Sequence, residues 1–171
     1  MNSVKVFSPA SVSNVCCGFD VLGFSIDGLG DEIIIHKSDL KGVRINNIFG
    51  HNVPLEAKEN TATVAAKSLL EYLNVNQGFD IEINKNIKPG SGIGSSAASA
   101  VGAVYGINKI LGNPLKKEQL LKFAMKGEFI SSKTAPADNV ASALYGGLIL
   151  VNNIENYNVV KLPVPKDLLA V

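Results

Sequence analysis

One stretch limits the options of this chain more than any other. Pro89-Gly90-Ser91-Gly92-Ile93-Gly94-Ser95-Ser96-Ala97-Ala98 joins a segment with the period of a strand to one with the period of a helix. Before it, Phe79, Ile81 and Ile83 alternate with Asp80, Glu82 and Asn84, as in a strand whose charged face is solvated. After it, Ala97, Ala100, Val101, Val104, Ile107, Ile110 and Leu111 mark one face of a helix closed by Gly112 and Pro114. Glycines at every second position allow a tight turn that gathers backbone N–H groups at one point. Ser95 and Ser96 then open a helix whose unpaired N–H groups and dipole favour an anion. A phosphate fits that description.

The rest of the chain supplies a sheet for this helix to pack on. Residues 4–8 and 31–36 are short β-branched runs bounded by Pro9, Gly30 and charges, and read as strands separated by a polar loop over 11–17 and by Gly18-Phe19-Asp20. From Asn60 to Leu73 the apolar residues recur at helical spacing, with Asn60 or Thr61 as N-cap. A third helix is expected over 115–126 and a short fourth over 139–145, followed by strands over 147–151 and 159–162. Strands come first and then interleave irregularly with helices, which predicts an α+β fold with a mixed sheet and helices on one side. At 171 residues and 46% apolar composition, one domain with a real core is expected.

Charge and cysteine content narrow the function classes. Sixteen basic residues nearly cancel 15 acidic ones, and no Lys/Arg run is dense enough to track a nucleic acid or an anionic membrane. A small discrete ligand is the expected partner. The N-terminus does not read as a signal peptide, and no apolar run is long enough to span a bilayer. Cys16 and Cys17 are adjacent, so a bond between them would be strained, and two buried, reduced thiols are expected. Two histidines without paired spacing argue against zinc. These observations predict a cytoplasmic protein.

By residue type alone, the glycine run has three accounts. It can be an ordinary loop and helix cap. A dinucleotide fingerprint requires a third glycine one position beyond Gly94 and an acidic residue some twenty positions on, and a P-loop requires a lysine before the helix-opening Ser/Thr. Neither requirement is met. The run does resemble the Pro-x-Gly-Ser-Gly-hydrophobic-Gly-Ser-Ser-Ala-Ala signature of the superfamily of galactokinases, homoserine kinases, mevalonate kinases and phosphomevalonate kinases, residue for residue except that Pro89-Gly90 lacks the extra spacer. That resemblance implies a domain of the ribosomal protein S5 domain 2-like fold, with the loop from Pro89 to Ala97 wrapped around the phosphates of ATP and Ser96 on Mg²⁺.

Two further blocks are similar to the homoserine kinase branch. Ser8-Pro9-Ala10-Ser11-Val12-Ser13-Asn14 leads to Gly18-Phe19-Asp20-Val21-Leu22-Gly23, departing from the family at Cys16-Cys17, where Gly-Pro is usual. Asp138-Asn139-Val140-Ala141 runs to Gly146-Gly147, with Pro136 at a position usually held by histidine. The resemblance implies that Asn14, Asp20, Asp138 and Asn139 hold the substrate and that Glu128, expected just after the third helix, is a second Mg²⁺ contact. Glu59-Asn60-Thr61 resembles the segment that meets adenine and ribose. On residue type alone, Asp20 and Glu128 read as solvated carboxylates, Asp138 as a helix N-cap and Asn60 as an ordinary cap.

The activity so implied is transfer of the γ-phosphoryl of ATP to the hydroxyl of L-homoserine, a step of threonine biosynthesis. Asn139 would face that hydroxyl beside Ser96 and Glu128, without a dedicated general base. A module that binds nucleotide without catalysis, and a related kinase acting on another small alcohol, are the alternatives. The resemblance also implies that residues 1–171 form an N-terminal ATP-binding portion whose second domain, the source of arginines for the substrate carboxylate, is absent; Arg44 is the sole arginine. An apolar edge left by that absence predicts a homodimer.

Overall fold

The computed structural model describes residues 1–56, 60–132, 137–153 and 158–164. Its centre is a long strand, β2 (Leu22–Ser38), which β1 (Ser3–Val12) pairs antiparallel almost throughout. The second half of β2 also pairs β4 (Gly78–Lys85), and its first residues pair β5 (Leu148–Asn153), which pairs β6 (Asn158–Leu162). A further strand, β3 (Val43–Gly50), lies parallel to β4, so the sheet is mixed, as expected.

The helices α1 (Thr61–Leu73), α2 (Ser95–Ile110), α3 (Lys117–Ser132) and α4 (Ala137–Tyr145) pack against one another, and α2 and α4 lie directly on β1 and β2. The inward positions of the central strands, Ile33 and Ile35 of β2 and Phe79, Ile81 and Ile83 of β4, are fully buried against Ala65, Leu69, Ala100, Val104 and Ile107. Each large side chain so buried contributes about 1.5–3 kcal/mol. Small residues on α2 set the distance to the sheet. A Cβ added to Gly102 would stand 2.4 Å from Ile33 Cγ1, and one added to Gly106 would stand 2.5 Å from Ile35 Cδ1.

Several expected boundaries shift, each for a local reason. β1 continues through Pro9 to Val12 because a register irregularity between Pro9 and Ser11 absorbs the proline. β2 begins at Leu22, well before residue 31, turning through Gly28 at φ 77°. β3 was not expected at all: its pairing slips between Ile45 and Asn47, and the two asparagines break the alternation that would have marked it. α3 runs on to Ser132, so Glu128 sits inside the helix and not after it. α4 already includes Ala137, which puts Asp138 in its first turn and not at the cap.

Candidate active site

The glycine loop leaves β4 and enters α2 with Gly90, Gly92 and Gly94 at φ 75°, 79° and 70°. At Gly90 and Gly92 a Cβ would meet no atom within 4 Å, so glycine is required there by the backbone and not by space. At Gly94 a Cβ would also lie 2.1 Å from Ser11 Oγ. Gly94 is the N-cap of α2 and offers no side chain to the first N–H groups of the helix, which therefore remain available to an anion. Ser95 Oγ donates to Ile87 O at 2.9 Å and anchors the loop. Ser96 Oγ donates to Glu128 Oε1 at 2.8 Å, so the two residues implied as metal contacts meet.

Glu128 is brought there by the residue before it. A Cβ on Gly127 would stand 2.4 Å from Thr61 O and 2.8 Å from Ala65 Cβ, so α3 crosses α1 in direct backbone contact. Burial pushes the Glu128 carboxyl above its ordinary value, while the Ser96 hydroxyl and the Lys85 charge oppose that shift. Beside this pair lies a cleft of about 440 Å³, lined by Asn60, Pro89, Gly90, Gly92, Gly94, Ser95, Ser96, Glu128 and Asn139, among others. Ser91, Ile93 and Ala97 do not line it. Ser91 is exposed, Ile93 packs with Ala10, Ile87 and Ala98, and Ala97 is in the main core. Asn60 is the N-cap of α1: its Oδ1 accepts from Ala62 N at 3.0 Å and its Nδ2 donates to Pro54 O at 2.8 Å.

A lysine lies under the loop. Lys85 Nζ pairs with Asp31 and donates to Ser95 O at 2.5 Å and Ser99 Oγ at 2.8 Å, with its side chain 1% exposed. All three ammonium protons are thereby used. Burial lowers the Lys85 pKa, and the Asp31 carboxylate opposes that shift. Asp31 Oδ1 in turn accepts from Asn86 N and Ile87 N, both at 2.9 Å. The pair thus joins β2, the end of β4 and the first turn of α2. Its signal was present in the sequence. Lys85 continues the inward series 79, 81, 83, and Asp31 precedes the inward 33 and 35, so two opposite charges fall at core-facing positions of neighbouring strands.

The N-terminal block reaches the same region from β1. Asn14 Oδ1 accepts from Asp20 N at 2.8 Å, and Asn14 N donates to Asp138 Oδ2 at 3.2 Å. Asp138 Oδ1 accepts from Asn139 N at 2.8 Å. Burial raises the Asp138 pKa, against the backbone N–H groups of Asn139 and Asn14. Asn14, Asp20, Asp138 and Asn139 therefore form one network, of which Asn139 lines the cleft. Asn14 and Asp20 adopt φ 57° and 62°, in the left-handed region that asparagine and aspartate tolerate. The thiols of Cys16 and Cys17 are exposed, contrary to expectation, because the tight turn closed by the Val15–Gly18 bridge holds both residues on its outside. Glu59 and Pro136 lie outside the described residues.

The chain is similar to known proteins over nearly its whole length. The homoserine kinase of Chlorobium phaeobacteroides is 39% identical over 181 residues, covering 98% of this chain and 56% of that protein. The crystal structure of homoserine kinase from Cytophaga hutchinsonii superposes with a TM-score of 0.91 at 51% identity, covering 96% of this chain and 53% of that one. The Methanococcus jannaschii mevalonate kinase structure, at 21% identity and a TM-score of 0.69 over 94% of this chain and 56% of its own, shares the fold. The chain thus spans little more than half the length of the relatives it matches. The profile of the GHMP kinases N terminal domain matches residues 60–147, from the N-cap of α1 to the glycine pair after α4. Loop, buried ion pair and cleft all fall on elements that this profile contains or that pack against it, and the chain belongs to the GHMP kinase family.

Proposed function

We propose that residues 1–171 are the N-terminal, ATP-binding domain of a kinase that converts L-homoserine to O-phospho-L-homoserine, a step of threonine biosynthesis in the cytoplasm. The observation that carries this reading is the convergence of three features on one cleft: the uncapped start of α2 behind a glycine loop, the Ser96–Glu128 pair, and Asn139 at the head of the Asn14–Asp20–Asp138 network. The similarity to homoserine kinases supports the choice of substrate.

The loop from Pro89 to Ala97 takes the phosphates through backbone N–H groups, and Asn60 lies at the nucleoside end of the cleft. Mg²⁺ suits the donor set, because it binds through one or two protein oxygens together with phosphates and waters, and Ser96 and Glu128 present two such oxygens in contact. A cation there also relieves the cost of a buried carboxylate whose pKa burial has raised. When bound, MgATP supplies the phosphoryl group and the charge that neutralises it. The residues supply position: Asp20 takes the substrate ammonium, Asn14 and Asp138 hold the loop that presents Asp20, and Asn139 faces the hydroxyl. Asn139 cannot accept a proton at neutral pH, so the hydroxyl proton leaves to phosphate or solvent. Arg44 bonds Asp80 at 2.6 Å and is occupied away from the cleft, so the substrate carboxylate is assigned to a part of the polypeptide outside this chain. A homodimer is part of the same proposal.

ADP release in the presence of homoserine and a panel of sugar and isoprenoid alcohols tests the reading, on this chain and on the longer polypeptide. MgATP binding by the chain and homoserine-dependent ADP release by the longer protein are expected. Release that favours another alcohol, or none at all, overturns the assignment.

A further inference from the structure

The Asn139 carboxamide is held at both ends by hydroxyls from β1 and the loop that follows it. Ser11 Oγ donates to Asn139 Oδ1 at 2.9 Å, and Asn139 Nδ2 donates to Ser13 Oγ at 2.9 Å. Ser13 Oγ also lies 3.4 Å from Asn14 Nδ2, which fits its part as acceptor. Ser11 is fully buried. Its backbone N–H donates to Ile93 O at 3.1 Å, inside the glycine loop, and Gly94 packs so near that only glycine clears its Oγ. One serine therefore touches the loop assigned to the phosphates and the side chain assigned to the acceptor hydroxyl, while not lining the cleft itself.

Resting on the function proposed above, we infer that Ser11 is a positioning residue for phosphoryl transfer. It locks the plane of the Asn139 carboxamide and sets its distance from the glycine loop, with Ser13 holding the opposite end. Each amide end keeps spare capacity, one N–H on Nδ2 and one lone pair on Oδ1, and the clamp aims that capacity into the cleft. A freely rotating asparagine would present either end. An asparagine pinned at both ends presents one fixed pattern to the hydroxyl, and the loop that holds the phosphates is fastened to the same serine. Alignment of donor and acceptor is where a small displacement is felt most, with losses of about a hundredfold for about 1 Å.

The test is steady-state kinetics of the complete protein, with homoserine and ATP varied separately, alongside MgATP calorimetry and thermal melts. Ser11→Ala is expected to lower kcat about a hundredfold while MgATP affinity stays within about threefold. Ser11→Ala combined with Asn139→Ala is expected to match Asn139→Ala alone within about twofold, because both changes remove the same constraint. Ser11→Thr, which keeps the hydroxyl, restores most of kcat. A serine that merely fills the core would lower the melting temperature and leave kcat in place, and that result overturns the inference, as do additive losses in the double variant. If Ser11→Ala does not fold, the half-exposed Ser13→Ala decides, since it frees the other end of the amide: a fall in kcat supports the clamp and an unchanged kcat overturns it. A wild-type protein that transfers no phosphoryl group to homoserine overturns the functional reading and this inference together, whereas an active wild type with an indifferent Ser11 overturns the inference alone.

Discussion

Glu128 is a carboxylate buried among the helices, and its protonation couples the stability of the fold to pH. Its folded pKa is raised above the ordinary value of 4.5, so between those two values the folded state binds more protons than the unfolded state. Stability is therefore lost as pH rises from the ordinary value through the raised one, and it stays lower above both. Glu128→Gln removes that cost. In the ligand-free chain the variant is expected to melt a few degrees above wild type at pH 7, and thermal melts against pH should show the gap closing near 4.5. The same substitution removes one of the two oxygens proposed for Mg²⁺, so calorimetry should show Mg-nucleotide affinity reduced by about tenfold or more, ~1.4 kcal/mol. Residue identity alone made Glu128 visible through family resemblance, and its burial was not visible because the helix carrying it extends past the point where the apolar spacing fades. Lys85 and Asp31 were the reverse case. Strand alternation already pointed both inward, and removing either would strand the other charge in the core at a cost of about 3–5 kcal/mol.

Among the elements, the glycine loop and the α1–α3 crossing use glycine for different reasons, and substitution separates them. Gly92→Val meets open space and is opposed by the backbone alone, since a β-branched residue at φ 79° costs about 1–3 kcal/mol. It is expected to abolish MgATP binding in calorimetry while the chain still folds. Gly127→Ala would gain up to about 1 kcal/mol of helix propensity. Its Cβ, however, falls 2.4 Å from a backbone oxygen of Thr61 that cannot rotate away. Overpacking of that kind costs about 1–3 kcal/mol and wins. Urea unfolding should show net destabilisation, and nucleotide affinity should fall with it because Glu128 is carried off Ser96. The first glycine was legible in the sequence, from its spacing. The second was not, because a lone glycine inside a helical pattern gives no sign of which neighbouring helix it approaches. The same limit hid β3, whose partner β4 was plain but whose own alternation is interrupted by Asn46 and Asn47.

At the scale of the whole molecule, the α+β class, the mixed sheet and the order of most elements were readable because strand and helix periods are strong between residues 60 and 112. The placement of the N-terminal loop beside α4 was not readable from period or propensity. It depends on contacts between segments far apart in the chain: the Ser11–Asn139 bond spans 128 residues, the Asn14–Asp138 bond spans 124, and Leu22 pairs with Leu150. That separation has a kinetic consequence. Hairpin pairing of β1 with β2 is local and can form early, whereas closing a loop of well over a hundred residues must be compensated by contacts that arrive only at its end. The network of Asn14, Asp20, Asp138 and Asn139 is thus expected to form on the native side of the folding barrier, where ligands act on unfolding more than on folding. In stopped-flow chevrons, saturating MgATP should leave the refolding rate of this chain nearly unchanged and slow its unfolding. A chain emerging from synthesis would likewise hold its first two strands long before it held a nucleotide, so the cleft reports that the chain as far as Asn139 has joined the fold.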